Sequence, residues 1–381
     1  MQRLEFETLQ ELQQHLQAGK SVDHAVFHAL DLRPLREELL AAKPRRPILL
    51  GCRVDDPTLD AMEHPVVFPP LDDLPFRAYR GDLYTPEELL GGYKIGDPEG
   101  HAKTLDGRCF RHYQQTHQAH AADAYVTLAR RLHDHSITDA LQELIEGRNV
   151  VAIMGGHSMP RGTELYLQIA RLARDLTRRG LLVTSGGGPG AMEATHLGAW
   201  FAERDDEELQ QANAMLAAAP QYQPITQWMD AAFRVCECFP LTSSSACESL
   251  GIPTWLYGHE PPTCFATKIA KYFANSVREE GLLAIANCGV IFTPGNEGTI
   301  QEVFQDAAQN RYKTFEHASP MVFFGRDYWT NQKPIYPALK TISANRDYNT
   351  LITITDDLGA IVQTVTDFAH TLAKHRSLSD R

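Results

Sequence analysis

The run "LLVTSGGGPGAMEATHLGAW", residues 181–200, passes from an apolar strand through three glycines, a proline and a fourth glycine straight into a helical pattern. Gly186, Gly187, Gly188 and Gly190 fall where the strand ends. Glycine at such a junction lets the backbone take positive φ and lets a ligand approach without meeting a Cβ. The N–H groups of the following helix start, with their partial positive charge, suit an anion. Pro189 is tolerated in a first helical turn. The run is neither G-x-G-x-x-G nor G-x-x-x-x-G-K-[ST], so neither a dinucleotide fingerprint nor a Walker loop is supported. Taken alone, it also reads as a tight turn with no ligand.

Two further strand ends carry similar punctuation. In "VIFTPGNEGTIQEVFQDAAQN", residues 290–310, Gly295 and Gly298 flank Asn296, Thr299 opens the next helix, and Glu302 lies one turn inside it. A helix start with a threonine hydroxyl suits a phosphate, whereas a carboxylate three residues on is also the pattern of a capping box. "MGGHSMPRGTELY", residues 154–166, adds Gly155, Gly156, Ser158 and Arg161. Three glycine-rich strand ends exceed what folding needs and read as the walls of one nucleotide-phosphate pocket.

Outward from these runs, strand-like segments recur at 150–156, 181–185, 254–258, 288–293, 321–325 and 351–355. Helical patterns lie between them at 161–179, 190–201, 264–286, 298–311, 327–343 and 357–374. Short buried strands alternating with helices predict an α/β fold, a doubly wound parallel sheet of Rossmann-like type over 146–381, with ligands at the carboxyl ends of the strands. The span 203–253 breaks the alternation and is expected to extend or cover the site with little added sheet. Residues 1–145 read as an accessory α+β region: an opening helix at 4–16, a strand at 46–52, a Pro-, Asp- and Gly-rich stretch at 55–108, and a long polar helix at 109–141.

Composition bounds the function. With 381 residues, 43% apolar, the chain has ample material for a core and for more than one domain. Net charge is −12 and the acidic residues are spread, which argues against a nucleic-acid polymer as partner. No stretch reaches a membrane span, and the polar, acidic start "MQRLEFETLQELQQHLQAGK" lacks the blocks of a signal peptide, so a cytoplasmic protein is expected. Seven scattered cysteines form no disulfide framework, and the Cys236-x-Cys238 pair lacks a second ligand pair. His117 and His120 stand three apart on the 109–141 helix, with His133 and His135 beyond and Asp123 and Asp134 nearby. Metal sites use such spacings but need a further ligand converging on the same face. A solvated or interface helix is the better reading, and no metal is expected.

The pair "GGGPGAME" and "PGNEGTIQE" resembles the G-G-G-x-x-G-x-M and P-G-G-x-G-T-x-x-E motifs of the LOG family, the cytokinin-activating nucleoside 5′-monophosphate phosphoribohydrolases, whose bacterial relatives include nucleosidases with extra flanking domains. The resemblance spans residues 148–375 and extends to "GTELYLQIARLARDLTRRGLLVTSGGG" and "GRDYWTNQKPIYPALKTI". It places Met192 with the glycines as a binding residue. It implies hydrolysis of an N-glycosidic bond to free base and ribose 5-phosphate, without a cofactor. It also implies a catalytic pair: Glu302 at the motif glutamate, and an arginine on the preceding helix. Arg278 takes that place if one residue is inserted before the strand, and no lysine follows it as in the family's H-E-R-K run. Asn296 replaces the second glycine of the family's P-G-G, a position where asparagine tolerates the turn and where its side chain either alters which base is accepted or blocks turnover. Family relatives pair through helices beside the site, so a homodimer or an assembly of dimers is expected.

The chemistry suits those residue types. Cleavage builds positive charge on the ribose, which a carboxylate stabilises while deprotonating the attacking water. An arginine close by keeps that carboxylate ionised and binds phosphate. Each residue also has a plainer reading: Arg278 as a surface residue pairing with Glu279 or Glu280, Glu193 as a first-turn carboxylate complementing the helix dipole, His157 as a turn cap, Lys268 and Lys271 as solvent-facing. The rival function is a nucleotide-binding or sensing protein that keeps the pocket without catalysis. Nothing supports a Schiff-base lysine of a pyridoxal enzyme.

Overall fold

The computed structural model describes residues 3–121, 123–314 and 317–379. The chain forms two compact units: one from the chain up to Leu83 together with His120–Glu143, the other from Tyr84–Ala119 together with the chain from Leu144 onward. The division does not coincide with a boundary at 145, because the segment 84–119 belongs with the larger unit.

In the first unit β1 (Glu5–Phe6), β2 (Val26–His28), β3 (Ile48–Leu50) and β4 (Val66–Phe68) form a parallel sheet in chain order. Helices Leu9–Gln17, Arg36–Ala42 and Asp56–Ala61 make the crossovers. Thr8 caps the first of these, its hydroxyl accepting from Glu11 N at 3.2 Å, so the opening segment is strand then helix rather than helix from residue 4. Alternate strand residues such as Phe6, Phe27 and Leu49 enter a core with Leu12, Leu35 and Leu39. The long helix expected at 109–141 is two, Leu105–Gln115 and Ala124–Ile145. His117 and Gln118 between them have positive φ, 58° and 54°, so His117 and His120 do not share a helical face. His133 is buried, its Nδ1 3.1 Å from Asp134 Oδ1.

The larger unit carries seven parallel strands: β5 (Val150–Met154), β6 (Leu182–Ser185), β7 (Ser249–Gly251), β8 (Lys268–Ile269), β9 (Val290–Phe292), β10 (Met321–Phe324) and β11 (Ile352–Thr355). Their order is β11-β10-β9-β5-β6-β7-β8, the doubly wound α/β arrangement. Strands β5, β6, β9 and β10 are buried at every residue, as a sheet covered on both faces requires.

One expected strand is absent. Residues 254–258 are apolar and aromatic, yet Trp255–Tyr257 is a 3-10 turn capped by Thr254, whose hydroxyl accepts from Leu256 N at 3.1 Å. Trp255 is buried and its indole N–H donates to Asp106 Oδ1 at 3.1 Å. The sheet continues through β7 and β8 instead, which splits the expected helix 264–286 into β8 and a shorter helix, Asn275–Ala284. The span 203–253 supplies helices Asp206–Leu216 and Ile225–Cys238 and the three residues of β7. Lys271, fully buried just after β8, pairs with Asp106 of the 84–119 segment, which His101 also contacts at 2.9 Å.

Candidate functional site

The strand order reverses at β5, which lies between β6 and β9. Right-handed crossovers send the chain to opposite faces on the two sides of such a point, opening a crevice at the carboxyl ends of the strands. The three glycine runs stand at that place. Gly155 and Gly156 follow β5, Gly186–Gly188 follow β6, and Pro294–Gly295 follow β9 after Thr293.

Backbone contacts lock the three ends together. Gly156 N donates to Pro294 O at 3.1 Å, and Ala191 N donates to Gly156 O at 3.1 Å. Gly190 has φ +71° and ψ −130°, and a Cβ there would lie 2.6 Å from His157 O and closer still to Gly156 O. Only glycine fits both the conformation and the space. Gly155 faces Thr293 Oγ1, which donates to Met154 O at 3.0 Å, and Gly295 faces Thr299 Oγ1; a Cβ at either would collide with that hydroxyl.

The two helices that start here, Ala191–Trp200 and Glu297–Tyr312, have no side-chain N-cap. Ala191 N is taken by Gly156 O, and the other first-turn N–H groups of the two helices lack the usual side-chain cap, the arrangement that elsewhere receives an anion. Glu302 is thus not part of a capping box.

The turn after β6 is braced from below. Ser249 Oγ lies 2.9 Å from His196 Nδ1, His196 Nε2 lies 2.9 Å from Ser185 Oγ, and Gly187 N donates to Ser185 Oγ at 3.2 Å. Burial pushes the fully buried His196 imidazole down to about 3, so it stays neutral. Of these residues Ser185, His196 and Ser249 did not stand out in the sequence, since a lone histidine in an apolar helix carries no signal of its own.

Arg278, on the helix Asn275–Ala284, is buried and reaches across the glycines. Its Nε donates to Ile252 O at 2.9 Å, and its Nη2 lies over Gly186, where a Cβ would strike it and also meet Met192 Sδ at 2.6 Å. The surface reading of Arg278 is excluded, for it pairs with neither Glu279 nor Glu280. Its Nη1 stands 3.9 Å from Glu302 Oε1. That separation is attraction without a hydrogen bond, so a water or substrate atom can touch both groups.

The Glu302 side chain is 14% exposed and, among the described residues, has no other partner than Arg278. Burial pushes its carboxyl up to about 7, with Arg278 opposing and Glu279 adding to the rise. A carboxyl poised there exchanges protons readily near neutrality. One turn further on, Asp306 is buried with Oδ2 unpartnered, and burial alone pushes it up to about 8.

At the rim, Asn296 is exposed and its Oδ1 accepts from Lys333 Nζ at 2.7 Å, while the Tyr328 hydroxyl donates to Gly295 O at 2.5 Å. Lys333 escaped notice in the sequence; its signal was its place just after the Tyr-Trp pair at 328 and 329. Gly298 is exposed with open space around it, Thr299 is buried, and Ser158 and His157 are exposed beside the β5 turn. Gly188 packs near Met192 Cε, and His157 Nε2 lies 4.0 Å from Glu260 Oε1.

Arg161 is withdrawn from the crevice. It is buried, forms a two-pronged pair with Glu193, donates to Trp228 O at 2.9 Å and stacks on the Trp228 ring at 4.7 Å. Glu193 also accepts from the Tyr166 hydroxyl at 2.9 Å, so it is neither a ribose contact nor a simple dipole partner. Lys271 is likewise committed to Asp106, and Lys268 lies on β8.

Neither a known protein family nor a curated protein matches the chain. Among solved structures it is similar to the Moco carrier protein from Chlamydomonas reinhardtii, at 13% identity over 59% of this chain and 99% of that one, with a TM-score of 0.37. It is also similar to the molybdenum cofactor binding protein from the phototrophic bacterium Rippkaea orientalis, at 14% identity over 58% of this chain and 98% of that one, with a TM-score of 0.36. At these values the likeness is one of partial shape, and no residue role transfers from it. Among the described residues no helix is long and apolar enough to cross a membrane.

Proposed function

We propose that the chain hydrolyses the N-glycosidic bond of a nucleoside 5′-monophosphate, releasing free base and ribose 5-phosphate, the activity of the LOG family its motifs resemble. The observation that carries this reading is the Glu302–Arg278 pair, 3.9 Å apart, set against a glycine-lined crevice with two uncapped helix starts. A binding pocket has no need of a largely buried carboxylate beside an anion-binding turn, whereas glycoside cleavage does. In this scheme the helix starts hold the phosphate and the ionised Glu302 takes a proton from the attacking water. The same carboxylate faces the positive charge that grows on the ribose as the bond to the base breaks. The water oxygen ends on the ribose carbon, the departing base nitrogen takes up a proton from solvent, and Glu302 returns the one it removed to solvent, so each turnover consumes one water and no net proton. Arg278 orients the substrate and favours the ionised form of Glu302. The scheme calls for no metal or cofactor.

Incubation of the purified protein with AMP, GMP, IMP, CMP and UMP, with base and ribose 5-phosphate quantified, tests it directly. Release that vanishes in Glu302→Ala supports the hydrolase. No release, together with a nucleotide-dependent rise in melting temperature, supports a non-catalytic binder instead. The Asn296–Lys333 contact is the observation on that side, because it sets two side chains on a turn that the resembling motif keeps bare. The same reading places the chain in the cytoplasm and pairs two copies through the helices beside the site, which leave Val277 and Phe304 exposed.

A further inference from the structure

We propose that Glu5, His28 and Asp139, with Glu7 alongside, bind one divalent first-row metal ion within the first unit of the chain. Strand periodicity brings the groups together. Glu5 and Glu7 flank Phe6, which enters the core, so they project from the opposite face of β1. On the neighbouring strand Phe27 is in the core and His28 therefore shares the face of the two glutamates. Asp139 comes from the helix Ala124–Ile145. Ligand atoms of Glu5, His28 and Asp139 all lie within 4.8 Å of one another, and those of Glu7, Asp139 and Glu143 do so as well. Ligands on a shared ion of this class sit roughly 3 to 4 Å apart, a distance small side-chain rotations reach from here.

Two features make this more than a patch of acidic surface. Among the described residues no lysine or arginine forms an ion pair with Glu5, Glu7 or Asp139, although three carboxylates converge. Like charges so placed repel unless a cation stands between them. The second feature is His28, 4% exposed, whose Nδ1 has no hydrogen-bond partner and whose Nε2 has only Glu5 Oε2 at 3.5 Å. A buried imidazole left this bare is costly, and an ion held on one ring nitrogen would partner that nitrogen and offset the charge of the converging carboxylates at once. One neutral imidazole with two or three carboxylates is a nitrogen and oxygen donor set that suits Mn²⁺ or Zn²⁺ better than thiophilic ions or Mg²⁺.

The test uses the full chain, stripped with chelator and titrated with Mn²⁺ (loss of the free-ion EPR signal) and with Zn²⁺ (competition with an indicator dye). Melting curves are recorded in parallel, with Mg²⁺ as control. The expected result is one equivalent of Mn²⁺ or Zn²⁺ bound, a raised melting temperature, and binding weakened more than about tenfold in His28→Gln and in Asp139→Asn. Glu5→Gln, at a side chain 44% exposed, keeps the question open to test if the buried variants misfold, and it too should weaken binding. No stoichiometric binding by the unaltered chain would overturn the proposal. So would binding unchanged by the folded variants, or Mg²⁺ acting as well as Mn²⁺, since each points to diffuse attraction by negative charge.

Discussion

Arg278 Nη1 lies 3.9 Å from Glu302 Oε1, and the same guanidinium is anchored by Nε on the carbonyl of Ile252, the residue that follows β7. The arginine is thus held in place by backbone, not by the carboxylate, and the two groups are free to act on a third. Replacing Glu302 by Gln keeps the shape and removes the proposed base. Turnover of the best nucleoside monophosphate is expected to fall by about 100- to 10,000-fold, with nucleotide binding by calorimetry largely kept.

The pH profile of that turnover follows from the Glu302 carboxyl, pushed up to about 7 by burial. The base works when ionised, so kcat should rise as pH increases through about 7 and then level off. Arg278→Met removes the group that favours ionisation, and the rise should move to higher pH. A profile that is flat between pH 5 and 8 in the unaltered protein would sink the assignment of Glu302 as the base.

Stability should run the other way. Burial raises Glu302 to about 7 and Asp306 to about 8, above the values of 4.5 and 3.8 they have in an unfolded chain. The folded state therefore binds more protons than the unfolded one between these limits, and stability present at acid pH is lost as pH rises toward 8. Asp306→Asn should raise the melting temperature at pH 8.5 and change it little near pH 4, as calorimetric scans at both pH values will show.

Gly190 takes φ +71° with its Cα hydrogen pointing at Gly156 O and His157 O. Alanine there meets both the disfavoured backbone region and the two carbonyls. A loss of about 2 kcal/mol or more in urea denaturation is expected, together with loss of nucleotide binding. Alanine at Gly298, which has open space on all sides, should leave stability nearly unchanged.

Arg161→Ala strands a buried glutamate. Glu193 is fully buried and its other partner is the Tyr166 hydroxyl, so about 3–5 kcal/mol of destabilisation is expected from the broken pair, visible as a large drop in denaturation midpoint.

The site was legible because its chemistry is local. A glycine cluster at a strand end is visible in six residues, and Glu302 one turn past Gly298 needs no tertiary knowledge. What stayed hidden depends on partners far along the chain. Arg161 reads as a phosphate ligand beside Gly155 and Gly156 until Glu193, 32 residues on, claims it. "TWLYG" has the composition of a strand, but the Trp255 indole N–H finds its acceptor in Asp106, 149 residues earlier, and the backbone coils to reach it. Strands β1 to β4 span only two or three residues each, too short for an alternation to show against a Pro- and Asp-rich background.

The chain passes from one unit to the other at 83/84, at 119/120 and at 143/144. Neither unit is a bead that one cut can release. A shortened protein starting at 146 keeps every glycine of the crevice, yet discards Asp106 and so strands the ammonium of Lys271 in the interior without its counter-charge. It also loses the bridge that Tyr84 makes to Ile269 at the sheet edge. Shuffling the larger unit into another protein, by evolution or at the bench, therefore means carrying residues 84–119 along as a second, separately stitched piece.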